Sequence, residues 1–176
     1  MQQPMIKVGT IYYHNITIAD APQMIKGRVR LYQENLFLEM EQTPIEERQG
    51  IKQWLSILQP VQTPYFITLF EKIKQGNFLP STNGVQDVNH FFMLQYETPI
   101  QVFDTDQLST PITIQEVLYK NTIAPITTQT TNITQVFYLP PSLSLTNAEA
   151  LLQAAAKMFT QINGGEFIIS LKEDTL

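Results

Sequence analysis

No cysteine occurs in the chain, which excludes disulfides, thiolate nucleophiles, iron–sulfur clusters and any zinc site built on Cys. Compartment is not decided by this, because secreted proteins can lack cysteine too. Charge is scarce as well. Asp, Glu, Lys and Arg make up 15% of the 176 residues, where about 25% is usual, and 19 Gln and 19 Thr take many of the remaining polar positions. The two histidines, His14 and His90, stand at no metal-ligand spacing such as HExxH or HxH. There is no GxSxG for a serine hydrolase, no phosphate-cradling GxxxxGK(S/T) and no dinucleotide fingerprint. The chain is therefore expected to be non-enzymatic, with no catalytic residues, no metal site and no cofactor.

Other absences narrow the partners. A net charge of −5 and a pI near 5.0 argue against binding a phosphate backbone, which needs clustered Lys and Arg. The most apolar window, Trp54 to Phe70, is broken by Gln59, Pro60, Gln62 and Pro64, so no membrane insertion is expected. The first ten residues have no apolar run of signal-peptide length, and a cytoplasmic location, or one inside a particle assembled there, follows as the expectation. Asn-Ile-Thr occurs at Asn15 and Asn132, and without a secretion signal both read as chance sequons.

What is present reads as one α+β domain over residues 1–176: a mixed, mainly antiparallel sheet with about three helices packed on it and a C-terminal strand–helix–strand unit. Ile6 to Ile18 alternates imperfectly as strand, with Gly9 a candidate bulge. Val29 and Leu31, a Gln33-Glu34-Asn35 turn, then Leu36, Leu38 and Met40 predict a β-hairpin. Thr43-Pro44-Ile45-Glu46 has the capping-box form and predicts a helix carrying Ile51, Trp54, Leu55 and Leu58. Thr63-Pro64 opens a second helix with Phe66, Leu69, Phe70 and Ile73 on one face, closed by Lys72, Lys74 and Gly76.

Val88 to Tyr96 is apolar on both parities and predicts a central strand covered on both sides. Ile100 to Phe103 predicts a partner strand, Asp104-Thr105-Asp106 a turn, and Thr113 to Tyr119 a short helix. Ile133 to Leu139 predicts a strand ended by Pro140-Pro141. Thr146-Asn147-Ala148-Glu149 then opens a helix that runs to Gly164-Gly165, and Phe167 to Leu171 alternates as the closing strand. A strand–helix–strand succession of this kind suits a parallel crossover.

Two runs, Gln53–Phe70 and Asn121–Ala148, carry no charged side chain. On the predicted helical hairpin, Trp54, Tyr65 and Phe66 sit among Gln53, Ser56, Gln59, Gln62 and Thr68, neutral where a solvent-facing helix carries Glu and Lys. Interface centres are depleted in charge and enriched in aromatics. Candidate partner-binding residues are therefore Trp54, Gln59, Gln62, Tyr65 and Phe66. Arg28 and Arg30 join them from the basic stretch Lys26 to Arg30, whose alternative use is cross-strand pairing with Glu39 and Glu41.

The function expected is a structural or assembly subunit of a virion, injection machine or other multiprotein complex. Its partners would be other protein subunits, itself included. Two other readings stay open: a small domain that neutralises a partner protein, and a ligand-binding domain or enzyme using Tyr12, His14, Arg28 or His90 in a pocket between sheet and helices.

Overall fold

The computed structural model describes residues 4–120 and 124–176, so Met1–Gln3 and the first residues of the second neutral run, Asn121 to Ile123, lie outside it. In chain order the elements are β1 (Met5–His14), α1 (Gln23–Gln42), α2 (Gln49–Leu58), α3 (Tyr65–Lys74), α4 (Gly84–Tyr96), β2 (Ile100–Asp104), α5 (Ile114–Tyr119), β3 (Ile133–Leu139), α6 (Leu145–Asn163) and β4 (Glu166–Thr175). The four strands form one sheet in the order β2-β3-β1-β4, and every neighbouring pair is antiparallel. The fold is α+β, as the sequence predicts. β3 and β4 both run against β1 and so run parallel to each other across it, joined by α6.

Packing explains the sheet's register. Gly9 pairs continuously with Phe137 and Leu171, so it is not a bulge. A Cβ placed there would lie 2.6 Å from both Cδ atoms of Leu152. The missing side chain lets α6 sit close to β1. Four residues further along the same face, Tyr13 stacks on Phe159 with ring centroids 3.8 Å apart.

Two segments depart from the sequence reading. The predicted hairpin over Val29–Met40 is the middle and end of α1, a single 20-residue helix. It buries Ile25, Val29, Gln33, Leu36 and Met40, spaced by three or four residues as one helical face requires. The predicted central strand Val88–Tyr96 belongs to α4, capped by the Asn83 side chain accepting from Gln86 N at 2.8 Å. α4 touches α1, α3, α6 and β2. A helix enclosed on most sides is apolar around most of its circumference and loses its period, which is why burial was readable there and helix type was not. These two reassignments raise the helix count among the described residues to six.

Smaller differences concern the helix starts. Thr43-Pro44-Ile45-Glu46 opens only a short 3-10 turn, Ile45–Glu47, and α2 begins after Arg48 with no side-chain cap. α6 is capped by Ser144, which accepts from Asn147 N, rather than by Thr146. A complete capping box does form at Thr113 and Glu116 on α5.

Polar groups inside the core are paired. Gln135, fully buried, accepts from the Tyr13 hydroxyl at 2.8 Å and donates to Asn89 Oδ1 at 2.9 Å. Burial holds the Tyr13 phenol well above its ordinary range. The Trp54 indole N–H donates to the Thr98 hydroxyl at 2.9 Å, which in turn donates to the Tyr138 carbonyl.

Candidate functional site

α1 carries two apolar stripes. One is the buried set above. The other consists of Met24, Leu31 and Leu38, whose relative exposures are 73%, 59% and 59%. Their spacing of seven places them within about 20° of one line on a helix of 3.6 residues per turn. That line lies opposite the buried stripe, pointing straight out from the core. Gly27, Arg28, Glu34 and Asn35 flank it. Arg30 Nε donates to Glu34 at 3.0 Å, one turn apart on the same helix, whereas Arg28 makes no ion pair among the described residues. Scattered single apolar residues on a surface need no explanation, but these three align into one exposed apolar stripe.

A groove of about 420 Å³ continues this surface towards α4 and α6. Leu31, Tyr32, Phe91, Tyr96 and Met158 line it, with Arg28 at its edge. The apolar area next to α1 is thus broader than the stripe itself.

On the other flank of α1 is a cavity of about 350 Å³ between α1, the segment following α3 and α4. Val29, Phe78, Leu79 and Pro80 give it apolar walls, and Lys26, Arg30, Asp87 and His90 bring charge and an imidazole. Both cations already have partners, Lys26 Nζ on Asp20 at 2.8 Å and Arg30 on Glu34. Burial and the nearby Lys72 push the His90 imidazole below its ordinary value, against the pull of Asp87, and keep it neutral. Asp87 accepts from Ser81 Oγ at 2.5 Å and from Thr82 N at 2.9 Å. Hydroxyl, carboxylate and imidazole meet here in the wrong order for acyl transfer, where the imidazole takes the hydroxyl proton. Asp87 instead ties the loop to the start of α4.

The sequence-predicted site residues separate. Trp54 and Phe66 are fully buried in the protein's own core and present nothing to a partner. Tyr65 is half-buried, while Gln59 and Gln62 are exposed in the α2–α3 link beside a fully exposed Val61. Arg28 and Arg30 are exposed on α1 rather than on a strand. The predicted cross-strand pairing with Glu39 and Glu41 does not form: Glu39 accepts from Arg48 at 3.0 Å. His14 lies on the surface, its Nδ1 3.3 Å from Asn132 Oδ1, and Asn132 donates onward to Asp106 at 3.1 Å. Tyr12, His14, Arg28 and His90 do not converge on one pocket.

Much of the neutrality of the two uncharged runs is accounted for by burial. All seven residues of β3 are buried, as are Phe66, Ile67, Leu69 and Phe70 of α3. The exposed stripe of α1 is hidden in the sequence because Leu31 and Leu38 fall two residues from the buried Val29, Leu36 and Met40, and together they imitate strand alternation.

No family model matches the chain. It is 29% identical over 184 residues to the uncharacterized protein YhzB of Bacillus subtilis (strain 168), a match covering 91% of this chain and 89% of YhzB. That name assigns no activity. Among the described residues no helix is long and apolar enough to cross a membrane, and no group of three or more acidic or imidazole side chains is placed to hold a metal ion.

Proposed function

We propose that this protein is a non-enzymatic subunit that acts through protein–protein contact, with the outer face of α1 as its contact surface. The observation carrying this reading is the aligned exposure of Met24, Leu31 and Leu38 along a helix whose opposite face is already buried in the core. Three long apolar side chains held in water on a rigid helix gain by burial, about 1.5–3 kcal/mol for each one fully covered. The adjoining groove lined by Phe91, Tyr96 and Met158 extends the area a partner would cover. Compared with the sequence expectation, the contact surface moves from the α2–α3 hairpin to α1, and Arg28 and Arg30 stay within it.

The experiment is size fractionation of a native extract containing either the wild-type chain or Leu31→Glu with Leu38→Glu. The wild-type chain is expected in a particle well above its 20.2 kDa mass, and the variant at monomer size with unchanged circular dichroism. Elution of the wild-type chain as a 20.2 kDa species overturns the proposal.

A further inference from the structure

The charges on α1 run against its own dipole. A helix favours acidic side chains near its amino end and basic ones near its carboxyl end. In α1 there is no acidic residue in the first turn and no basic residue in the last. Instead Lys26, Arg28 and Arg30 occupy the amino half, and Glu34, Glu39 and Glu41 the carboxyl half. Lys26 and Glu39 are neutralised within the chain by Asp20 and Arg48. Arg28 and Glu41, both exposed, make no ion pair among the described residues.

We infer that α1 packs antiparallel against α1 of a second copy of this chain, with Leu31 on the two-fold axis. This rests on the reading of α1 as a contact surface and names the occupant. A two-fold contact brings the same patch of both molecules together. Turning one helix end for end about Leu31 sets Leu31 against Leu31, Met24 against Leu38 of the second copy, and Gly27 at the level of Asn35. The apolar stripe is self-complementary because it is symmetric about its middle residue.

The polar flanks match in the same register. Arg30 and Glu34, one turn apart on one side of the stripe, meet Arg30 and Glu34 of the second copy in a four-membered ionic cluster, the two arginines in the middle and each flanked by a Glu34 of the other copy. On the other side Arg28 reaches the Asn35 carboxamide. Glu41 arrives beside the amino end of the opposing helix, where a carboxylate is favoured. A parallel two-fold would instead set Arg28 of each copy against Arg30 of the other, and the like charges would repel. The two grooves containing Phe91 and Met158 would lie on one side of the helix pair and become covered by the same association.

The absence of cysteine makes the test free of background. Leu31→Cys should form a disulfide-linked dimer under mild oxidation, and so should Met24→Cys mixed with Leu38→Cys. Ile168→Cys, equally exposed but on β4, should not. Purified wild-type protein should sediment as a dimer at micromolar concentration. Leu31→Glu, which sets two carboxylates face to face, should weaken dimerisation by about 100-fold or more while leaving the melting curve of the monomer unchanged. Leu38→Glu should act in the same direction should Leu31→Glu fail to fold. The pair Gln59→Lys and Gln62→Glu, on the α2–α3 link, should leave the dimer intact.

A wild-type chain that stays monomeric up to millimolar concentration overturns the inference, and so does cross-linking of Ile168→Cys as readily as Leu31→Cys. If the purified chain is monomeric but Leu31→Glu with Leu38→Glu still removes it from a larger particle in extract, the contact surface stands and only the second copy is wrong. If the particle survives that double substitution, both fail.

Discussion

Gly9 occupies a point where the inner strand β1 and its covering helix α6 meet too closely for any side chain. Replacing it with Ala sets a methyl group 2.6 Å from the tip of Leu152, which is itself fully buried. The variant is expected to lose about 1–3 kcal/mol of stability, as overpacked cores do. In a Leu152→Ala background the same change should cost less, and urea denaturation of the four chains measures the coupling. His90 makes a different residue-scale prediction. Its imidazole is held neutral mainly by burial, below the unfolded value of 6.5. The unfolded chain therefore binds a proton first as the pH falls, and the stability due to His90, fully present above 6.5, is lost as pH drops through and below that value towards the folded pKa. His90→Phe should flatten that part of the stability–pH curve, measured by thermal melts from neutral to mildly acidic pH.

At the scale of elements, Arg48 ties three together. It lies just before α2, reaches Glu39 of α1 at 3.0 Å and Glu97 after α4 at 2.8 Å, and sits over the Phe70 ring of α3 at 5.6 Å. Glu97 also accepts from Gly50 N at 2.9 Å, fixing the first turn of α2. Arg48→Ala is expected to cost about 1.5–3 kcal/mol, the range for hydrogen bonds to charged groups, and to expose the α1–α2 connection to limited proteolysis. This junction could not be read from the sequence, because Arg48 and Glu97 are far apart in the chain and neither belongs to a motif. Elements with one buried face were legible: α6, with Ala148, Leu152, Ala155 and Phe159, and β4, with its strict alternation. α1 was not, for a physical reason. Two apolar stripes on opposite sides superpose along the sequence, so that Val29 and Leu31, then Leu36, Leu38 and Met40, imitate the two-residue period of a strand. The strand-like pattern and the exposed apolar stripe have the same origin, since an ordinary surface helix would have shown a polar outer side.

At the scale of the whole molecule, scarcity of charge and its placement are separate facts. Enclosure of β3 and much of α3 in the core removes charge from long stretches without implying any partner. The outer side of α1, by contrast, does carry charge, but arranged in halves of opposite sign. Composition reports only totals and says nothing of where the charges lie. The fold class was accessible because period and turn chemistry survive in most elements. The exposed stripe of α1 was not, because exposure depends on which helix lies outermost, and that order is set by contacts between distant parts of the chain.

β1, one of the two inner strands of the sheet, precedes both of its partners in the chain, and this shapes the protein's early life. β1 finds its partners only in β3, beginning at Ile133, and β4, beginning at Glu166. At ordinary translation speed of roughly 5–20 residues per second, Ile11 and Tyr13 wait about ten seconds before either neighbour leaves the ribosome. α1 to α4 can meanwhile gather through contacts close in sequence, which form quickly. Until then the apolar face of β1 has no strand to pair with, and the sheet closes only after most of the helices have been made.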